Sequence, residues 1–185
     1  KLAMQELKID QVAKAYGRYL ALKDVSLEAR AGETVAIVGE NGAGKSTLIG
    51  ILAGARQPTR GRVIIDGQPV TIQNPSHAFE LGIRTVYQEL SLLPPLSVTE
   101  NLQLGALPMK GPRIDWKKAH AEAERHLAAI GMPEVDVRRP VASYSVAVQQ
   151  MLEIAKALVH EPQLLILDEP TASLDARHEM ELFEL

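Results

Sequence analysis

The sequence predicts an α/β fold: a parallel sheet that carries an N-terminal antiparallel β flap and an inserted α-helical lobe. Residues 34–38 form a short apolar, β-branched run that ends at a glycine, which is typical of a buried parallel strand. A glycine-rich loop and a helical pattern at residues 46–53 follow this run. A second fully apolar run at residues 163–167 ends in two acidic residues. Strands that alternate with helices in this order predict a parallel sheet.

The antiparallel flap is predicted from three β-rich stretches. Residues 7–16 and 22–29 precede the glycine-rich loop, and residues 63–65 follow it. Asp66 and Gly67 come directly after the third stretch, and an Asp-Gly pair favours a hairpin turn. We therefore expect these stretches to form a flap beside the main sheet.

The helical lobe is predicted from a run of helix signals in the second half of the chain. A short helix at residues 74–82, opened by an Asn-Pro pair and ended by a glycine, leads into a strand at residues 83–87. Residues 97–100 then form a capping box, residues 115–130 a charged amphipathic helix, and residues 145–159 another helix. Few strand signals interrupt this region, so we interpret it as a lobe inserted into the core.

Composition narrows the possible functions. A chain of 185 residues with 46% hydrophobic content is long enough to bury a core. The net charge of -3 argues against nucleic acid as a partner, and the absence of cysteine excludes disulfides and thiolate metal sites. No apolar run is long enough to span a bilayer, so we expect a cytoplasmic protein that reaches a membrane only through a partner. His120 and His126 lie on a charged helix at a spacing that does not align two metal ligands, and we expect both to be solvated.

A phosphate-binding loop is predicted at residues 39–46. Its sequence, GENGAGKS, matches the pattern G-x-x-x-x-G-K-[ST], in which small residues let backbone N–H groups converge on phosphate oxygens. Lys45 is expected to reach the β- and γ-phosphates of ATP, and the Ser46 hydroxyl to bind Mg²⁺. The predicted ATP-binding residues of this loop are Gly39, Glu40, Asn41, Gly42, Ala43, Gly44, Lys45, Ser46 and Thr47. A chance match in a glycine-rich turn is disfavoured by the flanking strand and helix.

Two acidic residues end the second apolar strand. Asp168 is expected on the metal side, and Glu169 is expected to polarise the attacking water, since phosphoanhydride hydrolysis needs a carboxylate near the γ-phosphate. The alternative is a strand that ends in ordinary solvated acids. The phosphate-binding loop upstream favours the functional interpretation.

Residues 164–175, LLILDEPTASLD, resemble the Walker B motif and D-loop of ATP-binding cassette (ABC) ATPases, and the similarity extends over nearly the whole chain. The resemblance implies a P-loop NTPase with a RecA-like parallel sheet core. It also implies that Gln88 reaches Mg²⁺ and the attacking water, and that Tyr16 stacks on adenine. For Tyr16, simple packing on neighbouring strand residues stays open as an alternative. The implied D-loop residues are Ser173, Leu174 and Asp175.

Residues 144–150, YSVAVQQ, resemble the family's signature motif, usually LSGGQ, which touches the ATP of the other subunit. The residues implied in that contact are Ser145, Val146, Ala147, Val148 and Gln149. A plain helix N-cap is the alternative role for Ser145. Sugar-importing members resemble SVAQQQMVEIAKAL, whereas this chain has SVAVQQMLEIAKAL, so Val148 departs from both forms. The departure removes an amide that could bond across the interface.

The resemblance is to the first nucleotide-binding domain of monosaccharide (ribose/xylose/galactose-type) importers. It implies ATP and Mg²⁺ as cofactors, with a second cassette, in the same polypeptide or a homodimer, and a membrane permease as partners. A sugar-binding protein would act only indirectly, and the chain would sit on the inner face of the membrane. Residues 4–88 would be the first part of the nucleotide-binding core, residues 89–160 the helical lobe with the signature, and residues 161–185 the second part of the core.

Two other functions stay open at this stage. A complete cassette of the family adds further strands and a switch histidine, which contacts the γ-phosphate. His178 follows Asp175 too soon for a further strand to precede it, so it does not match this histidine. The core is therefore expected to be C-terminally incomplete, and this piece to turn ATP over poorly. The missing histidine, together with Val148 in the signature segment, is also compatible with a regulatory module that binds ATP with little turnover. A soluble non-transport ABC ATPase acting on ribosomes or DNA would call for basic or specialised insertions, which are not found. A GTPase is disfavoured because no N-K-x-D motif occurs.

Overall fold

The computed structural model describes residues 3–169. They divide into two compact units, one made of residues 3–85 and 162–166, the other of residues 86–161 and 167–169. In chain order the elements are β1 (Glu6–Tyr16), β2 (Tyr19–Arg30), α1 (Lys45–Leu52), β3 (Arg60–Ile65), β4 (Gln68–Val70), α2 (Pro75–Glu80), β5 (Ile83–Val86), α3 (Val98–Leu102), β6 (Met109–Lys110), β7 (Arg113–Ile114), α4 (Trp116–Ala129), a 3-10 turn (Val141–Ser143), α5 (Val146–Leu158) and β8 (Leu164–Leu167).

The predicted antiparallel flap is present in the first unit. Four strands pair in the order β2-β1-β3-β4, and every neighbouring pair is antiparallel. Asp66 and Gly67 form the turn between β3 and β4, both with positive φ. The Asp66 carboxylate accepts hydrogen bonds from the backbone N–H groups of Gln5 and Glu6, which ties this turn to the start of β1.

The core of the first unit lies between the flap and helix α1. Ile9 and Val12 of β1 are fully buried, and Leu48 and Ile51 of α1 belong to the same apolar cluster. Burial of one such side chain stabilises the fold by about 1.5–3 kcal/mol. The cluster therefore fixes where α1 begins, and with it the end of the glycine-rich loop.

Strands β5 and β8 form the parallel pair that the sequence predicts. The Gln163 N–H donates to the Gly82 carbonyl (2.8 Å), and the Asp168 N–H donates to the Val86 carbonyl (2.9 Å), so both strands run in the same direction. Gly82 has a φ of +86°, and a Cβ there would lie 2.6 Å from Cγ of Gln163. A glycine is therefore required where this strand begins.

The strand predicted at residues 34–38 is wrong. These residues pair with no strand of the described chain, and Val35, Ile37 and Val38 are exposed at 42%, 43% and 92%. An extended segment becomes a strand only when a neighbour supplies hydrogen-bond partners. The apolar pattern indicated a preference for burial, but it carried no information about the partner.

The second unit is mainly helical. Ser97 and Glu100 form the predicted capping box at the start of α3, and Asp115 caps α4 by accepting a hydrogen bond from the Lys118 N–H. The short hairpin of β6 and β7 was not predicted. No helix within residues 3–169 combines the length and the apolar content that crossing a membrane requires.

The expectation that His120 is solvated is also wrong. Its Nδ1 lies 2.8 Å from Oγ1 of Thr99, and its ring stacks on that of Trp116 with 5.7 Å between centroids. Thr99 Oγ1 also lies within hydrogen-bond distance of the Val137 carbonyl, at 3.1 Å. His120 therefore ties α4 to α3.

Candidate functional site

Two glycines of the loop at residues 39–47 have a left-handed backbone. Gly42 and Gly44 have φ values of +85° and +97°. A Cβ on Gly44 would lie 2.5 Å from the Ala21 carbonyl oxygen and 2.7 Å from Cδ2 of Leu22. Gly44 thus combines a left-handed backbone with close packing against β2, and this fixes the turn from loop to helix.

Lys45 lies across this loop. Its ammonium donates to the carbonyls of Gly39 (2.7 Å) and Glu40 (3.1 Å), which holds the charge within the turn. The Ser46 side chain that follows is exposed. A cation and a hydroxyl on consecutive residues, next to glycine backbone, suit a phosphate chain with a bound metal ion.

The N-terminus of α1 is open to an anion. Its N-cap residue, Gly44, supplies no side-chain cap, and the first turn contains no acidic residue. The first N–H groups of a helix have no partner within the helix and carry partial positive charge, so they attract negatively charged oxygens. This end of α1 therefore offers donors to a ligand rather than to its own side chains.

Arg56 adds a second cation beside this helix. Its Nη1 donates to the Ser46 carbonyl (3.0 Å), and its side chain occupies the space next to Gly50, where a Cβ would lie 2.7 Å from Nη1. No motif in the sequence predicts this role for Arg56. Its only signal was a glycine inside a predicted helix, which often marks a close approach by another group.

Tyr16 ends β1 and is 44% exposed. The ammonium of Lys14 lies 5.2 Å from its ring centroid, and Tyr19, its cross-strand partner, is 61% exposed. The Tyr16 ring packs on a neighbour and is also exposed to solvent. Both roles considered for it, packing and stacking on a base, are compatible with this geometry.

The acidic pair follows β8. Asp168 is half-buried, and its N–H is bonded to the Val86 carbonyl (2.9 Å), whereas Glu169 is exposed. Glu169 has a φ of +51°, a left-handed backbone that costs a residue with a Cβ roughly 1–2 kcal/mol. Such strain is concentrated at functional sites. Gln88 is exposed in the irregular loop after β5.

The segment that resembles the signature motif begins α5. Oγ of Ser145 caps the helix by accepting from the Val148 N–H (3.3 Å), so the N-cap role is present. Val146 is 59% exposed, and Val148 is half-buried. Nε2 of Gln149 donates to the Tyr144 carbonyl (2.8 Å). The predicted D-loop residues Ser173, Leu174 and Asp175 lie outside the described residues.

Tyr144 stabilises the segment before α5. Its hydroxyl donates to the Asp136 carbonyl (2.8 Å), and the Arg139 guanidinium lies 5.0 Å from its ring centroid. Burial, followed by the Asp136 carboxylate, raises the pKa of Tyr144, while the charge of Arg139 lowers it; the net direction is upward. The phenol therefore stays protonated and keeps donating at neutral pH. Leucine, the residue usual at this position, could not make this bond.

The matched family model decides the family. The model described as ABC transporter matches residues 22–172, which is most of the chain. This chain belongs to the ABC transporter family.

Among curated ABC relatives, the ribose import ATP-binding protein RbsA of Corynebacterium glutamicum is 42% identical over 97% of this chain and 34% of its own length. The arabinose import ATP-binding protein AraG of Vibrio parahaemolyticus is 41% identical over 97% of this chain and 35% of its own length. The chain spans about a third of the length of these relatives.

Solved ABC structures have the same fold. A nucleotide-free ATP-binding cassette from an ABC transporter superposes with a TM-score of 0.82 at 26% identity, covering 98% of this chain and 75% of that one. A dimeric ATP-binding cassette in a post-hydrolysis state with ADP and Pi gives a TM-score of 0.79 at 28% identity, covering 96% and 80%. The predicted class, an α/β P-loop NTPase fold, is confirmed, and so is the resemblance to ABC ATPases of sugar import.

The residues of this ABC chain suit Mg²⁺ only in part. Ser46 is an exposed hydroxyl and Asp168 a carboxylate, both hard oxygen donors. Within the described part of the chain, no cluster of three or more acidic or histidine side chains could hold a metal ion. Mg²⁺ is usually held by one or two protein carboxylates together with substrate phosphates. Each of these two residues is therefore of a type that suits a metal ion bound together with a nucleotide.

Proposed function

We propose that this chain is the ATP-binding and ATP-hydrolysing domain of an ABC importer, with a monosaccharide as the transported substrate. The observation that carries the proposal is the N-terminus of α1, where an uncapped helix end, the Lys45 ammonium and the exposed Ser46 hydroxyl lie on consecutive residues. This arrangement suits a polyphosphate.

Binding is assigned to the loop and to Tyr16. The backbone N–H groups from Gly39 to Thr47 would surround the phosphates, and Lys45 would exchange its two carbonyl partners for phosphate oxygens. Ser46, Gln88 and Asp168 are assigned to Mg²⁺ from sequence alone, and the ion would neutralise charge on the β- and γ-phosphates when bound. Tyr16 would stack on the adenine through its exposed ring.

Hydrolysis is assigned to Glu169 and Gln88. A water oxygen attacks the γ-phosphorus, and the bond from that phosphorus to the bridging oxygen breaks, leaving ADP and inorganic phosphate. The Glu169 carboxylate accepts a hydrogen bond from the attacking water and takes up a proton from it, and Gln88 orients the water. Glu169 has a left-handed backbone directly after β8.

A second cassette is the partner assigned to the signature segment. Residues 145–149 begin α5, whose first turn contains no acidic residue, so this helix end also favours an anion. The dimeric ATP-binding cassette among the solved relatives supports pairing. Ser173, Leu174 and Asp175 are assigned to the same interface from sequence alone, as is the division into core (residues 4–88 and 161–185) and lobe (residues 89–160).

Sugar import is assigned from the relatives. Their names specify ribose and arabinose import. We therefore assign a membrane permease as the further partner and the inner face of the cell membrane as the location. A regulatory module that binds ATP with little turnover is the second candidate, because Val148 places an aliphatic side chain where sugar-importing relatives carry an amide.

Phosphate release separates the two candidates. The unmodified chain, Glu169→Gln and the control Glu161→Gln would be compared at saturating MgATP. We expect slow release from the unmodified chain and the control, and release lower by about 10²–10⁴-fold in Glu169→Gln. Tight MgATP binding without release from the unmodified chain would favour the regulatory module. No binding at all would contradict both.

A further inference from the structure

The loop that contains Gln88 is held at both ends. At its start, the Val86 carbonyl accepts the N–H of Asp168 (2.9 Å). At its end, Ser91 donates twice to Glu153, from N–H to Oε2 (2.9 Å) and from Oγ to Oε1. Residues 87–90 between these anchors form no helix or strand. The position of Gln88 therefore depends on the two anchors.

Glu153 is an unusual residue in its surroundings. It lies in α5 and is 7% exposed, while Met151, Leu152 and Ile154 beside it are almost fully buried. A buried carboxylate is costly unless its oxygens are bonded. Here both oxygens are used by one residue, Ser91, 62 positions away in the sequence. The burial of Glu153 therefore depends on this contact.

Lys156 completes the arrangement. Its Nζ donates to Oγ of Ser91 (3.0 Å), so the serine oxygen accepts one proton while it gives its own to Glu153. The hydroxyl thus bridges a cation and a carboxylate on successive turns of α5. Exposed Ser91 is consequently bonded to this helix by its backbone and its side chain.

We propose that Glu153 and Ser91 are positioning residues for ATP hydrolysis: their contact holds Gln88 in a fixed relation to α5. The inference rests on the proposed function, because it takes Gln88 as the residue that orients water. Glu153 lies about two helical turns after Ser145, at which α5 begins. Any displacement of the signature end of α5 is therefore passed through Glu153 and Ser91 to the Gln88 loop.

The chain contains a matched control for this contact. In the capping box of α3, the N–H and hydroxyl of Ser97 both bond to the Glu100 carboxylate, at 2.8 Å for the N–H. The chemistry is the same, but the two residues are three positions apart and both lie outside residues 87–91. Ser97→Ala therefore removes the same kind of hydrogen bond without releasing the loop.

The first measurement is steady-state phosphate release from the full chain. We expect Ser91→Ala and Glu153→Leu, which removes both acceptor oxygens, each to lower kcat by about 10–100-fold while KM and MgATP affinity stay within about twofold. The double variant should be no slower than the slower single variant, because both remove one contact. Ser91→Thr, which keeps the N–H and the hydroxyl, should retain most of the activity. Ser97→Ala should leave kcat unchanged. Equal kcat in Ser91→Ala and the unmodified chain would overturn the proposal.

The second measurement is amide hydrogen exchange across residues 87–91. Because Ser91 is exposed, protection of its N–H depends on Glu153, and we expect at least about tenfold faster exchange in Glu153→Leu but not in Ser97→Ala. Should Glu153→Leu fail to fold, Ser91→Ala tests the same loop at residues 87–90. If the unmodified chain releases no phosphate, the proposed function fails, and amide hydrogen exchange is then the only test of the Ser91–Glu153 contact. Faster exchange then supports it, and unchanged exchange overturns it.

Discussion

Helices α1 and α5 begin in opposite ways. Gly44 at the start of α1 supplies no side-chain cap, whereas Ser145 at the start of α5 accepts the Val148 N–H with its own hydroxyl. In α1 the Thr47 N–H is bonded to the Gly44 carbonyl, and no side chain competes for the N–H groups before it, whereas in α5 a side chain occupies the Val148 N–H. The N–H groups at an uncapped, exposed helix end are available to water or to an anion. The N-terminus of α5, which has a side-chain cap, is stable in the single chain, and its remaining N–H groups can still bind an anion that a partner presents.

The largest effect is expected where the uncapped end is blocked. Gly44→Ala places a Cβ 2.5 Å from the Ala21 carbonyl oxygen at a φ of +97°. We expect MgATP affinity to fall by more than about 100-fold and the free energy of unfolding to fall by about 1–3 kcal/mol. Calorimetry and urea unfolding measure the two. Gly67→Ala, which also has a positive φ but open space around it, should lose stability and keep its affinity.

Removing the cap of α5 should have an intermediate effect of a different kind. Ser145→Ala loses the bond to Val148 and should lower the free energy of unfolding by about 1 kcal/mol, with MgATP affinity of the single chain unchanged. Ser143→Ala, whose hydroxyl donates to the Pro140 carbonyl outside the helix, is the control for loss of a serine. A tenfold loss of nucleotide affinity in Ser145→Ala would contradict the distinction between the two helix ends.

Val148 tests the partner role of the N-terminus of α5. Restoring the amide with Val148→Gln should strengthen ATP-dependent pairing of cassettes by about 0.5–1.5 kcal/mol. The readout is the dimer fraction with ATP in a Glu169→Gln background, in a chain extended to include a switch histidine. A lower dimer fraction would mean that the half-buried side chain at position 148 packs within its own lobe.

Tyr144 should give the smallest effect. Tyr144→Phe loses the bond to the Asp136 carbonyl, and because the ring is only half-buried we expect a loss of about 0.5 kcal/mol. Burial raises the pKa of Tyr144, so this contribution is fully present below the ordinary tyrosine pKa and is lost as pH rises through the raised value. Unfolding compared at pH 7 and above pH ~10 should show the two proteins converging. A constant difference would show that the hydroxyl proton is not responsible.

The local signals of the sequence predicted much of the fold. Asn74 and Ser97 cap helices as expected, since the chemistry of a cap involves residues a few positions apart. The strand at residues 34–38 failed because strand formation depends on a partner that no local pattern specifies. The β6–β7 hairpin was missed because strands of two residues are too short to show alternation.

The candidate site also contains residues that local patterns reveal and residues that only tertiary packing brings together. The loop at residues 39–47 and the Asp168–Glu169 pair are recognisable from short patterns, and their assigned roles stay predictions. Arg56 beside α1 and the Ser91–Glu153 contact are formed by tertiary packing and left no pattern in the sequence. A buried glutamate on a helix looks the same in sequence as an exposed one.

MgATP binding by isothermal calorimetry tests the central claim most directly, that residues 39–47 bind the phosphates of ATP. Lys45→Ala removes a charge-assisted contact worth about 1.5–3 kcal/mol, so we expect affinity to fall by about 10–150-fold. Lys118→Ala, which breaks an exposed pair with Glu122, should leave affinity unchanged. Equal MgATP affinity in Lys45→Ala and the unmodified chain would contradict the account.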